Sequence, residues 1–318
     1  MSEKKEKIHI YYDMRFAPIT FDAAVYFAIA VATCRLAGFE RFDVHVIAKE
    51  FRQWSHRDKE YGQEIKNWRL HNIICRLPWL IPDVENISLY RANDIELEWP
   101  RYPETYSPGN KNEFPHLFSY LLKVHEKGGN VQIYRPSKFA DKWAKNRIGK
   151  NDTLIMALRT ADFDTGRDSN LSLWHEIYKK LQGLGYRIIV VPDYMDCLNE
   201  KKYSYFSWEA CPEAALDADL RLALSTNAYA TFGSSGGHFV PILLSSATFL
   251  IFGLINKFGL YSKGEFVSKI LGIESGGQPT FFHDHQQKYD WQEASLLTVD
   301  YVSSTVGRFL ENIRRSPC

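Results

Sequence analysis

At 318 residues, 45% hydrophobic, with 8 Trp, 18 Tyr and 20 Phe, the chain has apolar material for one large domain or two of ordinary size. A formal net charge of +1 excludes a global field that would hold nucleic acid or an anionic membrane, so any anion selectivity has to come from local residues. The five cysteines, Cys34, Cys75, Cys197, Cys211 and Cys318, lie far apart with no CxxC pair, which argues against a zinc site or a disulfide framework and fits a reducing cytoplasm.

The charged N-terminal MSEKKEKIHIYY runs into a strand over residues 7–12, unlike a signal peptide, and ends at Asp13. The loop MRFAPITFD leads into a helix over about residues 21–37, closed by Gly38, and residues 42–48 form the next strand. This βαβ unit lacks the GxGxxG fingerprint of dinucleotide binding. Residues 51–67 read as helix, 72–77 as strand-like and 87–90 as strand. The stretch 99–115 carries Pro100, Pro103, Pro108, Gly109 and Pro115 and reads as a long loop, either a lid or a surface connection. A helix over 116–126 ends at Gly128-Gly129, a strand follows over 131–134, and a helix over 136–146 opens the second half.

Residues 153–158 form a short apolar strand ending in Arg159, and the loop TADFDTG carries the chain to Arg167. Leu171, Trp174, Ile177, Tyr178 and Leu181 recur at helical spacing, with Asp168 or Ser169 as the cap and Gly183 and Gly185 as the stop. The β-branched run 187–191 ends at Pro192-Asp193, giving a second βαβ unit. Pro212 starts a helix that carries Ala214, Ala215, Leu216, Leu220 and Leu224 on one face. A short strand over 229–232, the turn GSSGG, a helix and a strand over 248–252 follow, and the tail 291–314 reads as mostly helical. Residues 23–37 and 243–258 are apolar but short or interrupted, so neither reads as a membrane span; peripheral membrane contact stays open. The reading is α/β, in two α/β halves, 1–135 and 136–318, facing a central cleft.

In open α/β sheets ligands bind beyond the carboxyl ends of the strands. Arg159, Arg167 and Asp193 fall at such ends. The arginines suit bidentate phosphate recognition, or salt bridges to Asp162, Asp164 or Asp168 within the same loop. Asp193 is a candidate for a ribose or sugar hydroxyl, or a turn cap. Gly233, Ser234, Ser235, Gly236 and Gly237, with His238 in the first helical turn, are a candidate phosphate cradle at a helix N-terminus, or a plain strand–helix turn. No Lys-Ser/Thr follows, so this is not a Walker A loop, and the serine spacing is not that of a nucleophile elbow. Glu209 is a candidate ribose or hydroxyl contact, or a solvated acid. In the first half Asp13, at a strand tip, is the candidate general base, with Thr20 and Asp22 as acceptor or donor contacts, or as the helix cap. The segment HDHQQKYDW reads as a surface or cleft loop rather than a metal site, and no metal is expected.

ALRTADFDTGRDSN, SLWHEIYKKLQGLG, IIVVPD, AALDADLRLALSTNA and FGSSGG together resemble the nucleotide-binding domain of two-Rossmann (GT-B) glycosyltransferases. The RxSN loop followed by Trp174, and the pattern YDxxxxPxTxD at Tyr12, Asp13, Pro18, Thr20 and Asp22, are similar to uncharacterised proteins of bacterial surface-polysaccharide loci. The resemblance implies transfer of a sugar from a nucleotide-sugar donor, held by the second half, to a saccharide or glycolipid acceptor on the first. It implies Arg159 and Arg167 on the pyrophosphate, Gly233 to Gly237 near phosphate or sugar, no resident cofactor, and no metal needed to offset the leaving charge. Two departures stand out: no glycine-rich loop follows the first strand, and no donor-binding Glu motif is evident. Competing readings are a sugar-nucleotide epimerase of the same architecture and a non-catalytic carbohydrate- or nucleotide-binding protein. The donor, the acceptor, the anomeric outcome and the oligomeric state are not legible in the chain.

Overall fold

Two all-parallel sheets organise the chain, one in each of two units, Met1–Arg135 and Pro136–Cys318. The computed structural model describes residues 6–48, 61–91, 94–108, 118–149, 152–160, 168–199, 201–255, 272–273, 277–283, 285–293 and 296–315.

The first unit comprises β1 (Lys7–Asp13), α1 (Asp22–Leu36), β2 (Arg41–Ala48), α2 (Gln63–Arg69), β3 (Val84–Arg91), β4 (Arg101–Tyr102) and α3 (Phe118–Glu126), with sheet order β3-β2-β1-β4. Successive side chains of a strand point to opposite faces. Ile8, Ile10 and Tyr12 therefore share one face, where the Tyr12 ring lies 5.3 Å from Tyr26 and 5.2 Å from Phe27 of α1. His9, Tyr11 and Asp13 share the other. β4 falls inside the stretch read as a loop: Arg101 and Tyr102 pair with His9 and Ile10. An edge strand tolerates the flanking Pro100 and Pro103 because its outer N–H groups need no ladder partner.

Two expected strands are absent. Residues 70–74 continue α2 as a π turn, with the Asn72 amide donating to Trp68 O, and Leu77–Leu80 is a 3₁₀ turn opened by Pro78. Residues 131–134 are buried but pair with no strand; Tyr134 instead donates its hydroxyl to Ala24 O at 2.8 Å. A short apolar run does not distinguish a strand from any other buried segment. The reading of 51–67 as helix falls mostly outside the described residues.

The second unit comprises α4 (Lys138–Ile148), β5 (Thr153–Ala157), α5 (Leu171–Gly183), β6 (Arg187–Val191), α6 (Tyr194–Leu198), β7 (Glu209–Ala210), α7 (Pro212–Leu216), α8 (Ala218–Asn227), β8 (Ala230–Ser234), α9 (Val240–Leu243), β9 (Phe249–Ile255), β10 (Gln287–Glu293) and α10 (Val299–Arg315). Its sheet order is β10-β9-β8-β5-β6-β7. Counted from β5, that is the doubly wound order 3-2-1-4-5-6 of dinucleotide-binding folds. Leu154, Met156 and Leu158 pack with Trp174, Ile177 and Leu181 of α5 and with Val302, Val306 and Phe309 of α10. Ile155 joins Ile189 and Val191 against α4, α7 and α8. A core on each face is what near-continuous apolar strands require.

Local chemistry explains the departures here. Asn170, not Asp168 or Ser169, caps α5 by accepting from Leu173 N at 3.2 Å. The helix expected to run on from Pro212 breaks at Asp217, whose carboxylate accepts from Asp219 N at 2.7 Å and Leu220 N at 3.3 Å and starts α8. Trp291 lies in β10, paired in parallel with Gly253 of β9, so the tail is helical only from Val299. The same strand takes up residues 287–291 of the HDHQQKYDW segment, which is therefore a sheet strand through most of its length. Among the described residues no helix is long and apolar enough to cross a membrane.

Candidate nucleotide site and the companion site of the first unit

In a doubly wound sheet the crevice opens where the strand order reverses, here between β5 and β8. Several side chains meet beyond the carboxyl ends of these two strands. Arg159 follows β5 and is buried, with its guanidinium bonded to Asp168. The loop between them is pinched at its base: Ser169 N donates to Arg159 O at 2.7 Å, and Arg159 N donates to the Ser169 hydroxyl at 3.0 Å. Ser169 donates in turn to the Ser234 hydroxyl at the tip of β8, 3.2 Å away, tying the arginine loop to the glycine turn.

The glycines of that turn do different jobs. Gly233 is a sheet residue, and a Cβ there would lie 1.9 Å from Ala157 O of β5. Gly236 faces the site: its Cβ would lie 2.9 Å from the His238 ring and 3.1 Å from Arg159 Cδ. Ser235 N donates to Phe252 O at 3.0 Å, so this amide is spent on the β9 side and not on a ligand. Gly237 opens a 3₁₀ turn through Phe239, followed by the four-residue α9. The expected full helix is thus two short turns, and its macrodipole is correspondingly small.

His238 is buried; burial, then the Arg221 and Arg159 charges, hold its pKa well below the ordinary 6.5, so the ring is neutral at pH 7. Its Nε2, and the Thr160 hydroxyl beside Arg159, have no hydrogen-bond partner among the described residues. Asp193, at the end of the neighbouring β6, caps α6 by accepting from Met195 N at 2.9 Å, and accepts from Thr160 N at 3.4 Å. Burial pushes its pKa up, opposed by those amides and by the Arg221 and Arg159 charges.

Arg221 is the residue that sequence reading missed. It sits on α8, fully enclosed, and donates to Ala214 O at 3.0 Å and Ala215 O at 2.9 Å. In sequence it is one charge in an amphipathic helix; only an arginine on the buried side of that pattern would have signalled it. Arg167 lies outside the described residues. Glu209 is at the wrong end of the sheet for this site: it binds Arg187, the first residue of β6, at 2.6 and 3.0 Å, on the amino side of the strands. The expectation of a ribose contact gives way to an ion pair that clamps edge strand β7.

In the first unit the order likewise reverses between β1 and β4. Asp13, 0% exposed, lies at the carboxyl end of β1. Its carboxylate accepts from Arg15 Nε at 2.9 and 3.1 Å, from Arg15 N at 3.0 Å and from the Tyr106 hydroxyl at 2.9 Å. A general base needs an oxygen within reach of the acceptor hydroxyl. Both oxygens here are engaged, so Asp13 holds Arg15 and Tyr106 in place and is not an open base in this arrangement. Thr20 and Asp22 serve the start of α1: the Thr20 hydroxyl donates to the Asp22 carboxylate at 2.8 Å and accepts from Asp22 N at 3.3 Å. Among the described cysteines none is an activated nucleophile; burial pushes Cys34 and Cys197 up to about 12 and Cys75 and Cys211 up to about 11.

No protein-family model matches the chain, and no curated relative matches it by sequence. Solved structures do. The glycosyl transferase family 9 protein from Veillonella parvula DSM 2008 is similar at TM-score 0.56 and 8% identity, over 98% of this chain and 99% of that one. E. coli ADP-heptose LPS heptosyltransferase II is similar at TM-score 0.51 and 12% identity, over 97% and 99%. E. coli heptosyltransferase WaaC with ADP is similar at TM-score 0.50 and 11% identity, over 96% and 99%. At such identities the likeness is one of fold, and it extends over nearly the whole of each chain: this chain has the two-Rossmann, GT-B-like architecture of those glycosyltransferases.

Proposed function

We propose that the chain is a glycosyltransferase that moves a sugar from a nucleoside-diphosphate donor to a saccharide or other hydroxyl acceptor, in surface-polysaccharide or glycoconjugate synthesis. The observation that carries this reading is the group at the β5–β8 switch point. A buried guanidinium, an imidazole neutral at pH 7 whose Nε2 has no partner among the described residues, and a bare Gly236 backbone converge where a doubly wound sheet accepts phosphate. The ADP-bound state of one structural neighbour, and the name of another, make an adenosine diphosphate sugar the first donor to try.

In this reading the acceptor oxygen bonds to the anomeric carbon as the bond from that carbon to the diphosphate oxygen breaks. The electron pair leaves with the diphosphate, where Arg159 exchanges Asp168 for phosphate oxygens and Arg167 adds a second charge. Asp193 keeps Thr160 and the α6 turn in position for the ribose or sugar. The donor's leaving group is stabilised by these side chains, with no metal ion assigned to it. The acceptor proton passes to a base on the first unit; Asp13 takes it only when Arg15 and Tyr106 release its oxygens. In this reading the transfer runs in the cytoplasm, or peripherally at the inner face of the membrane, where a cytoplasmic nucleotide-sugar donor is at hand.

The test is calorimetric titration of ADP, GDP, UDP and CMP into wild-type and Arg159→Ala protein. One nucleoside diphosphate binds the wild type, and Arg159→Ala weakens it about 10- to 100-fold, the worth of a charge-assisted bond. Equal binding by Arg159→Ala, or no diphosphate bound at millimolar concentration, refutes the reading.

A further inference from the structure

The polar face of the first sheet holds a cluster that the transfer reaction leaves unused. On β1 and β2, His9 and His45 sit side by side with both rings buried, His9 Nδ1 3.0 Å from His45 Nε2. Glu98, on the segment leading into β4, brings a carboxylate oxygen to 3.4 Å from His9 Nε2. One nitrogen of each ring and one Glu98 oxygen all lie within 4.8 Å of one another. Ligand atoms around a tetrahedral ion with bonds of about 2.0–2.1 Å sit about 3.4 Å apart, so modest side-chain rotation gathers the three.

We propose that His9, His45 and Glu98 bind one divalent first-row transition ion, of the zinc class, that fastens the segment ahead of β4 to the sheet. Imidazole and carboxylate without thiolate suit such an ion. His45 Nδ1 is buried and has no partner among the described residues, an orphaned polar atom that an ordinary histidine pair leaves unexplained.

The surroundings resemble the outer shell of a metal site. Asp43 Oδ2 stands 4.0 Å from His9 Nδ1 and is itself held by Lys7 at 2.5 Å. His45 is stacked between Tyr11, at 4.7 Å, and Tyr90, at 5.6 Å, which fixes its plane. Glu98 N donates to the Tyr11 hydroxyl at 2.9 Å, and His9 N donates to Pro100 O at 2.9 Å, so the backbone around Glu98 is already anchored. Glu98 keeps a side chain 54% exposed, which leaves the ion a route in from solvent and open positions for water.

The full chain, stripped with chelator, is titrated with Zn²⁺ by calorimetry and with Co²⁺ by visible absorption. The expected result is about one equivalent bound, a tetrahedral-type cobalt spectrum and a melting temperature that rises with added zinc. Glu98→Gln lowers zinc affinity at least tenfold and His45→Gln abolishes the cobalt spectrum. Glu98 is half exposed, so its variant keeps the test decisive should His45→Gln fail to fold. Absence of stoichiometric binding, or affinity unchanged in Glu98→Gln, overturns the proposal.

Discussion

Gly233→Ala and Gly236→Ala separate sheet construction from ligand recognition within one five-residue turn. At Gly233 the new methyl would stand 1.9 Å from a backbone oxygen, Ala157 O, and no rotation relieves it. Reaching even the 3.0 Å limit of real contacts parts β5 and β8 by about 1.1 Å, the difference between those two distances. Hydrogen bonds of about 2.9 Å are then lost. Two such bonds at about 1 kcal/mol each, with overpacking strain of about 1–3 kcal/mol, give a loss of about 3–5 kcal/mol. At about 2–4 °C per kcal/mol for a unit of this size, the melting temperature falls by roughly 6–20 °C. At Gly236 the obstacles are side chains, the His238 ring at 2.9 Å and Arg159 Cδ at 3.1 Å, and the backbone is extended at φ −170°, which any residue adopts. The chain can yield there, and the loss of unfolded-state freedom offsets about 0.4–1 kcal/mol of the cost. Gly236→Ala therefore melts within about 4 °C of wild type, yet displaces the guanidinium and weakens the nucleoside diphosphate about tenfold. Scanning calorimetry and nucleotide titration on both variants make the check. A Gly233→Ala protein that melts within 2 °C of wild type, or a Gly236→Ala protein as unstable as Gly233→Ala, refutes the assignment.

Three further outcomes follow from the geometry. Asp13→Asn and Arg15→Ala each cost about 3–5 kcal/mol in urea unfolding, because each strands a buried partner, and the double variant costs little more than either alone; additive losses would show that the pair is not coupled. His238 resists protonation in the folded chain, while the unfolded chain takes up a proton below the ordinary value of 6.5. Stability from this group is thus complete above that value and falls with acidification by up to about 1.4 kcal/mol per pH unit; His238→Asn removes that slope, and an unchanged slope between about pH 5 and 7 contradicts the burial argument. Glu209→Gln leaves nucleotide affinity within twofold and costs under about 1 kcal/mol, as expected for a partly exposed ion pair on the amino side of the sheet; a tenfold loss of binding would restore Glu209 to the site.

Much of the architecture was legible because it rests on local rules. The period-3.6 face of Trp174, Ile177, Tyr178 and Leu181, the β-branched run into Asp193 and the helix-starting Pro212 each specify their element from a few adjacent residues. The same rules misplaced residues 72–77 and 131–134, where a short apolar run only reports burial. They placed Arg159 at a strand end, and the structure puts it there, beside the turn that begins at Gly233.

What depended on tertiary structure is every role decided by distant chain. Tyr106, which with the nearby Arg15 occupies the Asp13 carboxylate, lies 93 residues away in sequence and cannot be paired with it by spacing. Gly233 looked like part of a phosphate cradle until β5 came within contact, and Arg221 drew no reading at all until α8 turned it inward onto backbone carbonyls. His9 and His45 lie 36 residues apart and meet only because β1 and β2 pair in register, with His45 opposite Tyr11. Periodicity and capping are properties of neighbours along the chain, whereas burial, ion pairing and ligand geometry are properties of neighbours in space. The amino-acid order determined the elements and the strand ends at which to look, and the packing of the sheets decided which of those groups are engaged and which stand open to a ligand.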